Sequence, residues 1–141
     1  MKFSEFDTTH QERIIELLNN HIAASADILK QDRCLIPILM IPDSNQLISL
    51  QSVDGSIDVD RAYAAVVGKL KNEVFTYALF SYSTRIVLET GRKTDSLKTH
   101  IFTQNGIEVS FYTPFKLKGL FKKTITIEKS ILAEIKENIL D

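Results

Sequence analysis

The feature that most constrains this chain is an Asn105-Gly106 pair inside a stretch of alternating apolar and polar residues, Leu97 to Thr113. Asn-Gly is the pair most favoured in two-residue hairpin turns, because both turn positions adopt positive φ. The sequence therefore predicts two antiparallel strands joined by this turn. Since the turn fixes the register, the predicted partners are Gln104 with Ile107, Phe102 with Val109 and His100 with Phe111. This register predicts a buried face that carries His100 among apolar side chains.

The residues around this hairpin predict further strands. Pro37 interrupts a short β-branched segment, and the turn-forming residues Pro42 to Asn45 connect that segment to the next one. After Val74 the pattern again alternates with a period of two, which is typical of strands. The predicted strands besides the hairpin are Cys34–Ile41, Leu47–Leu50, Val74–Tyr82, Arg85–Thr90 and an extended stretch from Phe115 to Ile127.

Three amphipathic helices complete the predicted fold. Their apolar residues recur at helical spacing in three segments, which are Thr8–Leu29, Asp58 or Asp60 to about Asn72, and Glu128–Leu140. Asp7 or Thr9 caps the first helix in this interpretation. The predicted order is α-β-β-α-β-β-β-β-α, an α+β fold in which three helices pack mainly on one face of an antiparallel sheet of five to six strands. We expect residues 1–141 to form a single domain.

Composition favours a protein of the cytoplasm. Cys34 is the only cysteine among 141 residues, so no internal disulfide forms, which is typical of a reducing compartment. The first residues contain no apolar run of signal-peptide length. The longest apolar stretch, Cys34 to Ile41, is too short to cross a bilayer. We therefore expect a cytoplasmic protein that does not associate with membranes.

Charge is distributed unevenly along the chain. Residues 1–60 contain 4 Lys/Arg and 10 Asp/Glu, whereas residues 85–123 contain 8 Lys/Arg and 3 Asp/Glu, so their net charges are −6 and +5. Segments of opposite sign mark a partner surface in some proteins, and in others the two signs mix on the folded surface. The sequence leaves both interpretations open.

No residue pattern in the sequence predicts catalysis. Cys34 begins an apolar strand in the predicted fold, where a buried cysteine acts as a small hydrophobic residue. The acidic residues Asp54, Asp58 and Asp60 are followed by neither the glycine nor the glutamate that a calcium loop requires. The loop that begins at Gly91 has no second glycine five positions earlier, as a phosphate-binding loop would. We expect no catalytic residue, no metal site and no cofactor.

Two groups of residues are candidate binding sites. A small-molecule site, or an enzymatic version of it, would lie between the helices and the sheet and would use His100, Tyr82, Arg85 and Tyr112. A basic patch would contact nucleic-acid phosphates through Lys116, Lys118, Lys122 and Lys123. Lysines that alternate with apolar residues are also typical of an edge strand, which is the other interpretation of this stretch.

The leading hypothesis is a non-enzymatic binding or interaction protein that holds a protein partner or forms a homodimer. Two observations favour it: the sequence contains no residue pattern typical of catalysis, and its acidic and basic segments could form complementary surfaces. Small-molecule binding around His100, Tyr82 and Arg85 is the alternative, and nucleic-acid binding through the basic stretch ranks third. No segment of the sequence is specific enough to identify a family, and a fold layout alone does not establish a function.

Overall fold

The computed structural model describes residues 1–50, 58–120 and 123–141. These residues form an α+β fold of two α-helices and seven β-strands, with two three-residue 3-10 turns at Phe3–Glu5 and Pro42–Ser44. In chain order the elements are α1 (Thr8–Asp32), β1 (Ile38–Ile41), β2 (Gln46–Ser49), α2 (Val59–Leu70), β3 (Tyr77–Val87), β4 (Lys93–Thr103), β5 (Glu108–Lys118), β6 (Thr124–Ile127) and β7 (Ile131–Lys136). The predicted break at Asp54-Gly55-Ser56 and the predicted site residue Lys122 lie outside the described residues.

The strands form one curled antiparallel sheet in the order β2-β1-β3-β4-β5-β6. β6 pairs with Phe115–Lys118 of β5, and β7 pairs with Glu108–Tyr112 of the same strand. The strands β3, β4 and β5 have 11 residues each, so they extend about 36 Å. Among the described residues, no helix is long and apolar enough to cross a membrane.

The two helices pack on opposite faces of the sheet. The Asp7 side chain caps α1 by accepting a hydrogen bond from the His10 backbone N–H at 2.8 Å. Asp58 caps α2 in the same way through the Arg61 N–H. The α1 side chains pack with Leu79, Ile101, Val109 and their neighbours, whereas the α2 side chains pack with Leu39, Phe80, Phe102 and theirs. The prediction that the helices lie mainly on one face is therefore wrong.

The predicted third helix over Glu128–Leu140 is also wrong, because residues 131–136 form strand β7. Ile131 and Ile135 fit a helical spacing, which made the helix plausible from the sequence. In the folded chain this segment pairs with the edge of β5, whose backbone N–H and C=O groups would otherwise lack partners. Tertiary pairing thus overrides the local pattern, and the predicted element order changes at its end.

Two strand predictions need correction as well. The segments Val74–Tyr82 and Arg85–Thr90 are predicted as separate strands, but most of the first and half of the second belong to the continuous strand β3. The strand predicted from Cys34 begins only at Ile38, after Pro37, and Cys34 is exposed rather than buried. The sheet has seven strands in the described residues instead of five to six, because β7 forms in place of the predicted third helix.

The hairpin at Asn105-Gly106 is present, but its register differs from the predicted one. Of the two turn residues only Gly106 has a positive φ, +79°, and the Thr103 N–H bonds to the Ile107 carbonyl at 2.9 Å. The loop therefore has three residues, Gln104 to Gly106, which is the common type I turn with a left-handed glycine. The observed partners are Phe102 with Glu108, Ile101 with Val109 and His100 with Ser110.

Candidate functional site

The observed register collects polar residues on the sheet face that α2 covers, called the α2 face below. Tyr82, Lys98 and Tyr112 occupy one row across β3, β4 and β5. The next row contains Phe80, His100 and Ser110, and the third contains Ala78, Phe102 and Glu108. Because side chains alternate along a strand, all three rows point to the same face. Phenolic, cationic, imidazole and carboxylate groups thus lie together on one side of the sheet.

His100 is the centre of a buried polar network on the α2 face. Its Nε2 lies 3.1 Å from the Tyr82 hydroxyl, and its Nδ1 lies 3.3 Å from Glu108 Oε2. The second contact has the distance of an ion pair without the angle of a hydrogen bond. The Tyr63 hydroxyl, which comes from α2, donates a hydrogen bond to Glu108 Oε1. The network therefore links α2 to all three long strands.

The environment of this network sets the charge of its members. Burial alone would raise the pKa of Glu108, but its contacts with His100 and Tyr63 and the charge of Lys136 hold that pKa below its usual value. Burial raises the pKa of Tyr82 to about 12, with the negative charges around it adding to the effect. Burial and Glu108 also raise the pKa of Tyr63. At neutral pH Glu108 is consequently a carboxylate, and both phenols keep their protons, with Tyr63 donating to Glu108.

Lys98 is a largely buried residue whose ammonium has no carboxylate partner among the described residues. The residue is 8% exposed, and its ammonium lies 3.8 Å from the centre of the Tyr112 ring. The described carboxylates form no salt bridge with it, because Glu108 pairs with His100 and Asp95 pairs with Arg85. The Tyr112 ring stabilises the ammonium through a cation–π contact. This ammonium is therefore able to take an additional anionic partner.

A cavity of about 370 Å³ is lined in part by Tyr112, the residue whose ring contacts this cation. Its walls are mainly apolar and are formed by Ile86, Val87, Leu88, Glu89, Tyr112 and Ile131. The Tyr112 ring belongs to both features, since one ring lines the cavity and also contacts the Lys98 ammonium. The volume lies within the range of ordinary small-molecule sites. Tyr112 thus connects a mainly apolar cavity to the cation of Lys98.

The residues predicted as a small-molecule site are distributed as follows. His100, Tyr82 and Tyr112 share the α2 face. His100 is 7% exposed and stacks between Phe80 and Phe102, so it supports Tyr82 and does not line the cavity. Arg85 lies apart from the other three, because its side chain is 74% exposed and pairs with Asp95 at 3.7 Å.

The basic stretch lies at the β5–β6 hairpin. Lys116 and Lys118 are exposed on β5, and Lys123 is exposed just before β6. The Lys123 ammonium donates a hydrogen bond to the Gln31 carbonyl at 3.0 Å. Phe115, the described aromatic residue beside these lysines, is 2% exposed. Its ring is therefore not available to stack on a base.

Three residues of the α2 face were not predicted from the sequence, namely Tyr63, Lys98 and Glu108. Lys98 gave a usable signal, because a lysine two positions before His100 in the most regular strand occupies the same face. Glu108 was assigned to the opposite face from His100 by the one-residue error in register. Tyr63 matched an apolar helical stripe, so its contact with a carboxylate had no local signature.

A second histidine pair lies on the opposite face of the sheet. His21 Nε2 is 2.5 Å from Ser81 Oγ, and burial lowers the pKa of His21 from 6.5 to about 4. The pair resembles a nucleophile with its base, but His21 and Ser81 are 3% and 0% exposed between α1 and the sheet. Cys34 forms no hydrogen bond with a described histidine, and the described residues contain no cluster of three or more potential metal ligands.

Comparison with known proteins gives no relative for this chain. No protein-family model, no curated protein and no solved structure matches it. The functional argument therefore rests on the geometry of the α2 face itself.

Proposed function

We propose that this protein is a non-enzymatic binding protein that takes a small amphipathic anion at the cavity of the α2 face. The observation that carries the proposal is Tyr112, which lines an apolar cavity and whose ring lies against the ammonium of Lys98, a largely buried residue with no carboxylate partner among the described residues. A ligand with an apolar body and one acidic group complements both features. The carboxylate of a medium-chain organic acid is the simplest group of this kind.

Each part of the site supports one part of such a ligand. The apolar body would pack against Ile86, Leu88 and Ile131, while the acidic group would approach Lys98. Tyr82 occupies the row of Lys98, and its hydroxyl contacts His100 Nε2, so the network on this face holds its ring next to the cation. Glu89 lies in the wall and would repel a second negative charge. The arrangement therefore favours monoanions over dianions.

The contacts of His100 support binding over catalysis. A general base needs to reach the proton that it removes, but His100 is enclosed by aromatic rings and does not line the cavity. Its ring nitrogens face Tyr82 and Glu108, so in this proposal it holds Tyr82 in place beneath the ligand. The exposed Cys34 fits a reducing compartment, and we place this binding function in the cytoplasm.

A pair of matched ligands tests the proposal. Octanoate and 1-octanol have the same apolar chain, so the difference between their affinities isolates the contribution of the acidic group. We expect octanoate to shift the amide resonances of Tyr112, Ile131 and Ile86 in two-dimensional NMR, and to bind more tightly than 1-octanol. The substitution Lys98→Met should weaken octanoate about tenfold or more, because a hydrogen bond to a charged group contributes about 1.5–3 kcal/mol.

Lys136→Met is the matched control, since Lys136 also lies over a tyrosine ring, that of Tyr63, at 5.2 Å. This variant should leave octanoate affinity unchanged. Equal binding of octanoate and 1-octanol by the wild-type protein would show that the cation plays no part. Resonance shifts confined to residues far from Tyr112 would place the ligand elsewhere and contradict the proposal.

A protein partner or a homodimer is the second candidate function, and a specific observation favours it. A groove lined by Glu12 and Glu16 lies at the first half of α1, whereas the exposed lysines Lys118 and Lys123 lie near its other end, so the two regions are opposite in charge. Nucleic-acid binding has less support, because stacking requires exposed rings and Phe115 is buried beside the described lysines.

A further inference from the structure

Two buried hydroxyl groups on the α1 side of the sheet have no hydrogen-bond partner among the described residues. They are Ser25 Oγ on α1 and Thr99 Oγ1 on β4, and the two residues are 1% and 0% exposed. Buried polar groups in folded proteins almost always have a partner, which is either a protein atom or an ordered water. These two hydroxyls therefore require a partner from outside the chain.

The contact between His21 and Ser81 brings the two hydroxyls into one cluster. Thr99 is the direct partner of Ser81 in the β3–β4 pair, so their side chains stand next to each other on the same face. Ser25 follows His21 by one helical turn and lies on the same side of α1. His21 Nε2 is 2.5 Å from Ser81 Oγ, and this contact joins the helix pair to the sheet pair. These four residues, called the inner cluster below, lie buried between α1 and the sheet.

The course of α1 across the sheet places Ser25 over the strand of Thr99. Near the start of α1, His10 contacts the hydroxyl of Tyr77, the first residue of β3. The helix also contacts β4 and β6, and its last turn accepts a hydrogen bond from Lys123, just before β6. α1 therefore passes from β3 over β4 towards β6. Ser25 lies one turn beyond the histidine that contacts β3, which is the part of the helix above β4.

The inner cluster suits a very small neutral ligand. Three of its side chains, Ser25, Ser81 and Thr99, are small and leave more room between helix and sheet than the leucines and isoleucines of the same core. His21 is uncharged at neutral pH, because burial lowers its pKa to about 4. A charged ligand would therefore meet no opposite charge in the cluster, and burying it there would be costly. Water is the smallest molecule that offers both donors and acceptors to hydroxyl groups.

We propose that the inner cluster binds an internal water molecule that bridges Ser25 Oγ and Thr99 Oγ1. Buried waters typically make about three hydrogen bonds. Ser81 Oγ stands beside Thr99 and keeps acceptor capacity besides its contact with His21, so it is available for the third bond. The water then joins α1 to β4, whereas the direct histidine contact joins it to β3. This site lies on the opposite side of the sheet from the α2 face and does not depend on ligand binding there.

A crystal structure that shows ordered waters tests the site directly. In the wild-type protein we expect a water within about 3.2 Å of both hydroxyl oxygens. The same water should be missing from the variant Ser25→Ala/Thr99→Val. A direct hydrogen bond between the two hydroxyls would overturn the proposal, as would a separate partner for each of them or no water within reach of both.

A double-mutant cycle by urea unfolding tests the bridge in solution. Either Ser25→Ala or Thr99→Val alone removes the bridge, so the double variant should lower the folding equilibrium constant less than the product of the two single effects, by at least about twofold. Circular dichroism should show that all variants are folded before denaturant is added. Purely additive effects of Ser25→Ala and Thr99→Val would overturn the proposal.

Thr103→Val is the matched control for Thr99→Val in this cycle. Thr103 lies on the same strand and face, about 13 Å from Thr99, and is 1% exposed. Its hydroxyl already bonds to the Ile107 carbonyl at 3.2 Å, so it needs no water. Thr103→Val combined with Ser25→Ala should therefore give additive effects, and an equal coupling in this pair would show that the Ser25–Thr99 coupling is not specific to a bridge.

Discussion

Acidification is expected to weaken the fold through His21, the histidine enclosed between α1 and the sheet. Burial lowers the pKa of His21 from 6.5 to about 4, and its Nε2 contacts the equally buried Ser81 hydroxyl. In the unfolded chain this histidine takes up a proton at about its ordinary pKa of 6.5. Between the two values the unfolded chain binds more protons than the folded one, so stability falls as the pH falls through that window.

The size of the effect follows from the two pKa values. The gap between 6.5 and about 4 corresponds to a loss of about 3 kcal/mol in the free energy of unfolding once the pH is well below both values. By about pH 5 some 2 kcal/mol of this should already be lost relative to neutral pH. For a single domain with a total stability of about 5–15 kcal/mol, such a loss is easily measured.

Urea unfolding as a function of pH measures this loss. His21→Gln keeps a polar partner for Ser81 and removes the titration, so its stability should change less between about pH 7 and pH 5 than that of the wild-type protein, by about 2 kcal/mol. His10→Gln is the control, because His10 is only partly buried and bonds to the Tyr77 hydroxyl. An equal pH dependence in the His21→Gln variant would refute the reasoning, as would an NMR titration that places the His21 pKa near 6.5.

Three further predictions concern the α1 cap and two glycines, and all are measured by urea unfolding at neutral pH. Asp7→Ala should destabilise the protein by about 1 kcal/mol because it removes the α1 cap, whereas Thr9→Ala, which makes no cap hydrogen bond, should have almost no effect. Equal effects of the two would contradict the assignment of the cap. Gly106→Ala should cost about 1–2 kcal/mol through its φ of +79°, since an added methyl group meets only ordinary contacts with Leu140 and Asn138. Gly68→Ala in α2 should instead stabilise the protein by about 0.5–1 kcal/mol, and a loss there would contradict this reasoning.

Local patterns in the sequence predicted the elements whose stability is local. The helices α1 and α2 each combine apolar residues at helical spacing with an acidic N-cap, and both form close to the predicted positions. Segment 131–136 has a similar spacing but becomes a strand, because the edge of β5 supplies backbone partners that the sequence does not reveal. Pairing between distant segments is therefore the part of this fold that local patterns leave undetermined.

The register of the β4–β5 hairpin decides which residues form the candidate site, and the predicted register was wrong by one residue. In the predicted hairpin, His100 lies opposite Phe111, whereas in the structure it lies opposite Ser110. This slip of one residue reverses the faces of β5 and brings Glu108 and Tyr112 to the side of His100. The difference arises at Asn105, which does not adopt the positive φ that a two-residue turn requires. The backbone conformation of one turn thus determines which side chains lie together on the α2 face.

The same alternation of faces separates the two proposed binding sites. Lys98 and Thr99 are neighbours in β4, but their side chains point to opposite faces of the sheet. The Tyr112 ring that lines the cavity therefore lies on one side, and the inner cluster lies on the other. Lys98→Met should leave the coupling between Ser25 and Thr99 intact, and Thr99→Val should leave octanoate affinity intact. A change in both properties from either variant would mean that the substitution disturbs the sheet itself.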